Sequence, residues 1–165
     1  MRKLILASLT ACATLALSAG AWAQQPPPPP QYGQPGVTLD QAKKAIEAAE
    51  AEAKKNGWLM AIAVVSNSGF LVSFAKMDQT QFASVQIAQH KAKAAATFRR
   101  PTKAFQDALA ASPGNVYLLT LDGIIASEGG IPIMRDGKII GAMGCSGGTG
   151  QQDGMACQAG VNALK

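Results

Sequence analysis

The stretch GGIPIMRDGKIIGAMGCSGGTGQQD, Gly129 to Asp153, holds eight glycines, two short apolar runs and one cysteine. Asp136-Gly137 is a two-residue hairpin signal, and it lies between IPIM and KIIGAMG, both of strand length. The glycines Gly141, Gly144 and Gly147 do not have the spacing of a dinucleotide loop. Such a fold would also need a further strand and an acidic residue about 20 positions on, and the chain ends first. What remains is Ser146-Gly147-Gly148-Thr149 leading from a strand into a helix. Amides at that helix start could receive an anion; the alternative is a tight connection capped by Ser or Thr.

Upstream, Thr38-Leu-Asp-Gln41 forms a capping box ahead of LDQAKKAIEAAEAEAKKN, a run of strong helix formers. Leu39, Ala42, Ile46, Ala49 and Ala53 share one face, and Gly57 follows as a C-terminal stop. WLMAIAVVS and FLVSFAKM flank Asn67-Ser68-Gly69 and predict a hairpin. From Gln81 to Phe98 the period is helical. Phe82, Val85, Ala88, Ala92, Ala95 and Ala96 lie on one side, and Gln86, His90, Lys93 and Thr97 on the other. Pro101 breaks this helix, Thr102 can cap a short one through Ala111, and VYLLTL after Ser112-Pro113-Gly114-Asn115 reads as a further strand. The order is helix, two strands, two helices, three strands, helix. It predicts an α+β domain in which an antiparallel five-stranded sheet carries helices on its faces.

The N-terminus has another character. MRK, the apolar LILASLTACATLALSAG and Ala21-Trp22-Ala23 predict a signal peptide over residues 1–23, cut before Gln24. The rival is a lipoprotein box, Leu9-Thr10-Ala11-Cys12, which would leave a lipidated Cys12, although the apolar run before it is short. No second apolar segment is long enough to span a membrane. QQPPPPPQYGQPG, residues 24–36, predicts an extended polyproline II tether, leaving residues 37–165 as one domain. The expected location is therefore periplasmic or secreted. The formal charge of +5 falls by two when Arg2 and Lys3 are removed. Without a basic run or aromatics interleaved with one, nucleic acid is excluded as a partner class. The many alanines favour flat, closely packed surfaces that suit a homo-oligomer.

Glu128-Gly129-Gly130-Ile131-Pro132, Gly137-Lys138-Ile139-Ile140-Gly141-Ala142, Gly144-Cys145-Ser146-Gly147-Gly148 and Gln152-Asp153, together with Lys91-Ala92 and TFRRPT at Thr97–Thr102, resemble the signature of the GlcG/HbpS haem-binding (haem-degrading-type) family. The likeness runs over nearly all of residues 37–165. It implies an α+β domain with a central antiparallel sheet, frequently oligomeric, and haem binding in some members. Secreted relatives are linked to haem sensing or degradation; others accompany glycolate oxidation genes or are fused to corrinoid adenosyltransferases. The signature thus points to a fold more sharply than to a ligand.

Haem iron takes His, Met, Cys or Tyr, and the propionates take Arg or Lys. His90 is the sole histidine and stands on the polar side of its helix, making it the candidate iron ligand and the one candidate metal contact. Lys91, Arg99 and Arg100 are the candidate propionate partners; the bland alternative is a set of solvated cations near a helix end. Met60, Met77 and Tyr117 lie in strand-like runs and read as core. Cys145 and Cys157, the cysteines beyond residue 23, are expected to pair in an oxidising compartment and tie the last helix to the sheet. The expected function is an exported haem carrier, buffer or sensor partner. The alternative is a small-molecule enzyme or accessory factor, in haem degradation or hydroxy-acid metabolism, using Ser146, Gly147, Gly148 and Thr149 with Glu128 and Asp153 as acid or base. No HExxH, GxSxG or phosphate-binding loop supports an enzyme.

Overall fold

The computed structural model describes residues 36–165; the leader, the Cys12 alternative and the proline tether up to residue 35 lie outside the described residues. In chain order the elements are α1 (Leu39–Lys55), β1 (Ala61–Ser66), β2 (Leu71–Lys76), α2 (Ala83–Thr97), α3 (Lys103–Ala111), a 3-10 helix (Pro113–Thr120), β3 (Gly130–Arg135), β4 (Lys138–Ser146) and α4 (Gly150–Asn162). The sheet is antiparallel with order β2-β1-β4-β3.

The sheet has four strands, not five, because all of VYLLTL but its last residue, Leu121, belongs to the 3-10 helix. An apolar run of strand length cannot be distinguished from other elements by periodicity alone. Here local bonds decide: the Ser112 hydroxyl accepts from Gly114 N–H at 3.2 Å, and Asn115 Nδ2 donates to the Ala108 carbonyl at 2.8 Å. These contacts hold the segment against the end of α3, and Pro113 starts the turn. Tyr117, expected in the core, is 56% exposed.

Both hairpins follow their turn residues. Asp136 and Gly137 adopt positive φ of 48° and 72°, the left-handed pair that a two-residue hairpin requires. Each end of the domain carries a full capping box, Thr38 with Gln41 on α1 and Thr149 with Gln152 on α4.

The sheet separates two apolar layers by strand alternation. Ile62 and Val64 of β1 face α1 and α4, together with Met143, Cys145 and Cys157. Ala61, Ala63 and Val65 face the other way, against Ala88, Ala92, Ala95 and Ala96 of α2. The side chains on that second interface are small, so helix and sheet approach closely. At Gly144 a Cβ would collide with the Ala88 carbonyl oxygen and come within 2.5 Å of Ala92 N. Both obstacles are backbone and cannot rotate away. Gly144→Ala is therefore expected to cost about 1–3 kcal/mol of stability by overpacking, read as a lower urea midpoint.

Candidate functional site

The phase of α2 determines what each of its residues can reach. Ser84, Ala88, Lys91 and Ala95 share the buried stripe, while His90 and Lys93 are exposed. His90 opens onto a recess of 260 Å³, where it meets Lys93 and the Asp122–Ile124 segment. Its neighbour Lys91 turns inward and is 1% exposed. There the Lys91 ammonium donates to Asp153 Oδ2 at 2.7 Å, and Asp153 Oδ1 accepts from Gly148 N–H at 2.9 Å. Burial raises the Asp153 carboxyl above the ordinary carboxylate value, while the Lys91 hydrogen bond and charge oppose the rise in part.

The expected propionate set does not converge. Lys91, a candidate propionate partner, points inward to Asp153 while His90 faces solvent, because successive helical residues are about 100° apart. Arg99, with φ of 57°, lines a separate 510 Å³ hollow that includes Thr97 and Lys138. Arg100 donates from Nε to the Phe98 carbonyl at 3.2 Å and lies 5.8 Å from the centre of the Phe105 ring. The cation that shares the recess with His90 is Lys93. Its spacing of three from His90 was the available signal, since residues three apart lie on one helix face.

The loop at Ser146–Thr149 is likewise not an open anion site. Gly148 N–H is taken by Asp153, Thr149 N–H donates to Gln152 Oε1 at 2.9 Å, and Ser146 Oγ donates to Ser84 Oγ at 3.1 Å. The capping reading of this loop prevails. Asp153 is too enclosed to serve as a solvent-facing acid or base, its side chain being 4% exposed.

Glu128 stands apart from Asp153, at the mouth of a 420 Å³ cavity between the start of β3, the entry to α3 and the outer face of α4. Thr102, expected to cap α3, instead secures this corner: its hydroxyl donates to the Ser127 carbonyl at 2.7 Å and accepts from Gly130 N–H at 2.9 Å. The floor was not legible in the sequence, because it depends on Gly129-Gly130 at the start of β3 meeting Gly154 of α4. At Gly129 a Cβ would lie 2.8 Å from Asp153 Cβ, at Gly130 2.6 Å from Thr102 Cγ2, and at Gly154 2.6 Å from Glu128 Oε1.

Cys145 of β4 and Cys157 of α4 are joined as a disulfide, with Cα atoms 5.6 Å apart. Among the described residues no group of three or more His, Cys, Asp or Glu could hold a metal ion, and no helix is long and apolar enough to cross a membrane.

The family described as haem degrading protein HbpS-like matches residues 37–162. Protein GlcG of Escherichia coli strain K12 is 37% identical over 110 residues, covering 67% of this chain and 81% of that protein. The crystal structure of HbpS superposes with a TM-score of 0.74 at 28% identity, over 82% of this chain and 94% of that one. PduOC, solved as a haem complex, has the same fold, with a TM-score of 0.72 at 22% identity over 79% of this chain and 96% of its own. The match over most of its length shows that the chain belongs to the HbpS-like family.

Proposed function

We propose that this chain is an exported, periplasmic or secreted haem-binding protein that acts as a carrier, buffer or sensor partner, with His90 as iron ligand. Family membership supports haem as the ligand class, as does the haem complex of a protein with the same fold. The observation that carries the site is His90 itself, the sole histidine of the chain, exposed on α2 and opening onto a recess shared with Lys93 and Ile124. An exposed imidazole can reach iron, the Lys93 ammonium can meet a propionate, and Ile124 offers an apolar contact to the macrocycle. Bound haem would supply the redox-active iron; the protein supplies its ligand, its counter-charge and its orientation. Neither Arg99, which lines a separate hollow, nor Arg100 lines that recess, so the reading rests on Lys93 in their place.

The Cys145–Cys157 bond supports export, since disulfides persist in oxidising compartments. The signal peptide over residues 1–23 and the tether over residues 24–36 belong to the same proposal. Assembly into a homo-oligomer is supported by apolar side chains left on the surface: Val116, Tyr117 and Leu119 of the 3-10 helix, and Phe82, which is 89% exposed. Acid–base catalysis by Glu128 and Asp153 together is not favoured, because Asp153 is enclosed with Lys91.

Titration of the purified chain with haem, followed by absorption, tests the reading. Saturable one-to-one binding with a shifted Soret band is expected, and His90→Ala is expected to abolish the shift and weaken binding about tenfold or more. An unchanged spectrum in His90→Ala would move the iron elsewhere. Absence of saturable binding would reject haem altogether.

A further inference from the structure

The 420 Å³ cavity beside Glu128 takes no part in the haem reading, and its chemistry is different. Its volume lies within the range of about 300–1,000 Å³ usual for small-molecule sites. Gly129, Gly130 and Gly154 contribute to its lining, and none of the three has room for a side chain, since each meets packed atoms where a Cβ would stand. The absence of a side chain at Gly154 also allows the Glu128 carboxylate to rest against α4. Glu128 is fixed from behind as well, its main-chain N–H donating to Gln106 Oε1 at 2.9 Å.

Four ionic groups bear on this hollow, and three of them already have partners. Lys91 and Asp153 neutralise each other behind Gly129 at 2.7 Å. Lys103 stands at the rim, with its ammonium donating to both carboxylate oxygens of Asp107 at 2.6 and 2.8 Å. Glu128 lines the cavity and makes no ion pair among the described residues. An ionised carboxylate only accepts hydrogen bonds, so the group that completes it must donate, and a cationic donor forms the stronger bond. Around Glu128 the wall is apolar at Ile131 and Met155 and carries the Gln151 and Gln158 amides.

We infer that this cavity is a binding site for a small organic amine, its ammonium on Glu128 and its hydrocarbon part against Ile131 and Met155. An anionic ligand would have to draw Lys103 away from Asp107 and lie beside Glu128, so like charge disfavours it. The amide pair on α4 suits an amine with a further polar atom, which the Gln151 or Gln158 side chain can meet.

Three ligands of equal length separate the possibilities: n-pentylamine, 1-pentanol and pentanoate, each titrated into the ¹⁵N-labelled full chain at neutral pH. The amine is expected to bind saturably, shifting amides of residues 128–131 and 151–158, with the alcohol weaker by about tenfold and the carboxylate weakest. Glu128→Gln, which keeps the shape of the side chain, is expected to erase the preference for amine over alcohol. The inference is overturned if pentanoate binds as tightly as the amine, if the shifts lie elsewhere on the molecule, or if Glu128→Gln retains the preference. It is equally overturned if none of the three binds at millimolar concentration. Haem titration of Glu128→Gln should match the wild type, so failure of the amine site and failure of the haem site are read separately.

Discussion

Replacing Lys91 with methionine is expected to lower the free energy of unfolding by about 3–5 kcal/mol, the usual cost of leaving one member of a buried ion pair without the other. Lys91 and Asp153 are 1% and 4% exposed at the side chain, so water cannot take the place of the lost ammonium. Methionine fills a similar volume, so the effect reports charge more than cavity. The paired variant Lys91→Met with Asp153→Asn is expected to recover much of the loss. Asparagine removes the uncompensated charge and keeps an oxygen for Gly148 N–H. Urea unfolding of the wild type, the single and the double variant gives the comparison. A loss below about 1 kcal/mol in Lys91→Met would mean that the pair is hydrated in solution.

The same pair gives stability a definite pH slope. Burial holds the Asp153 carboxyl above its ordinary value, so between the unfolded and folded values the native state carries the extra proton. Unfolding free energy from this group is therefore greatest below the unfolded carboxylate value and declines as pH rises through the folded one. Unfolding measured across the acid range should show that decline in the wild type, and Asp153→Asn should remove this component.

Cys157→Ser is the second large effect, with an expected loss of about 3 kcal/mol for a bridge closing so short a loop. The two cysteines are 12 residues apart, and both are fully buried at the junction of β4 and α4. Thermal melts with and without reductant provide the check. Reductant should lower the wild-type Tm to that of the variant and leave the variant unmoved. A wild type indifferent to reductant while Cys157→Ser is destabilised would assign the loss to packing of the replaced side chain instead.

The parts of the fold that were legible in the sequence are those whose cause is local. Thr38 with Gln41 starts a helix, and Asp136-Gly137 turns a hairpin, whatever surrounds them. VYLLTL had no such local cause. Its composition fits a strand, but its fate depended on Ser112 and Asn115 bonding back onto neighbouring turns. At the site, the exposure of His90 followed from helical phase. The burial of Lys91 was legible by the same reasoning, since Ser84, Ala88, Lys91 and Ala95 form one stripe. Its charge concealed it, and its partner Asp153, 62 residues away, is supplied only by the tertiary fold. Thr149-x-x-Gln152 repeats the pattern of Thr38-x-x-Gln41 and already indicated that the glycine loop caps its own helix.

The strand order carries a consequence for how the molecule comes into being. β1, the first strand among the described residues, is held on one side by its hairpin partner and on the other by β4, the last of them, with Ile62 beside Cys145. The middle of the sheet thus closes between the two ends of the domain, and no growing chain can form it until residues near 146 are available. Such distant closure slows folding and leaves an incomplete chain as an open hairpin with an unpaired edge. In a chain arranged in this way the central β1–β4 pairing becomes available only once the C-terminal third has been made.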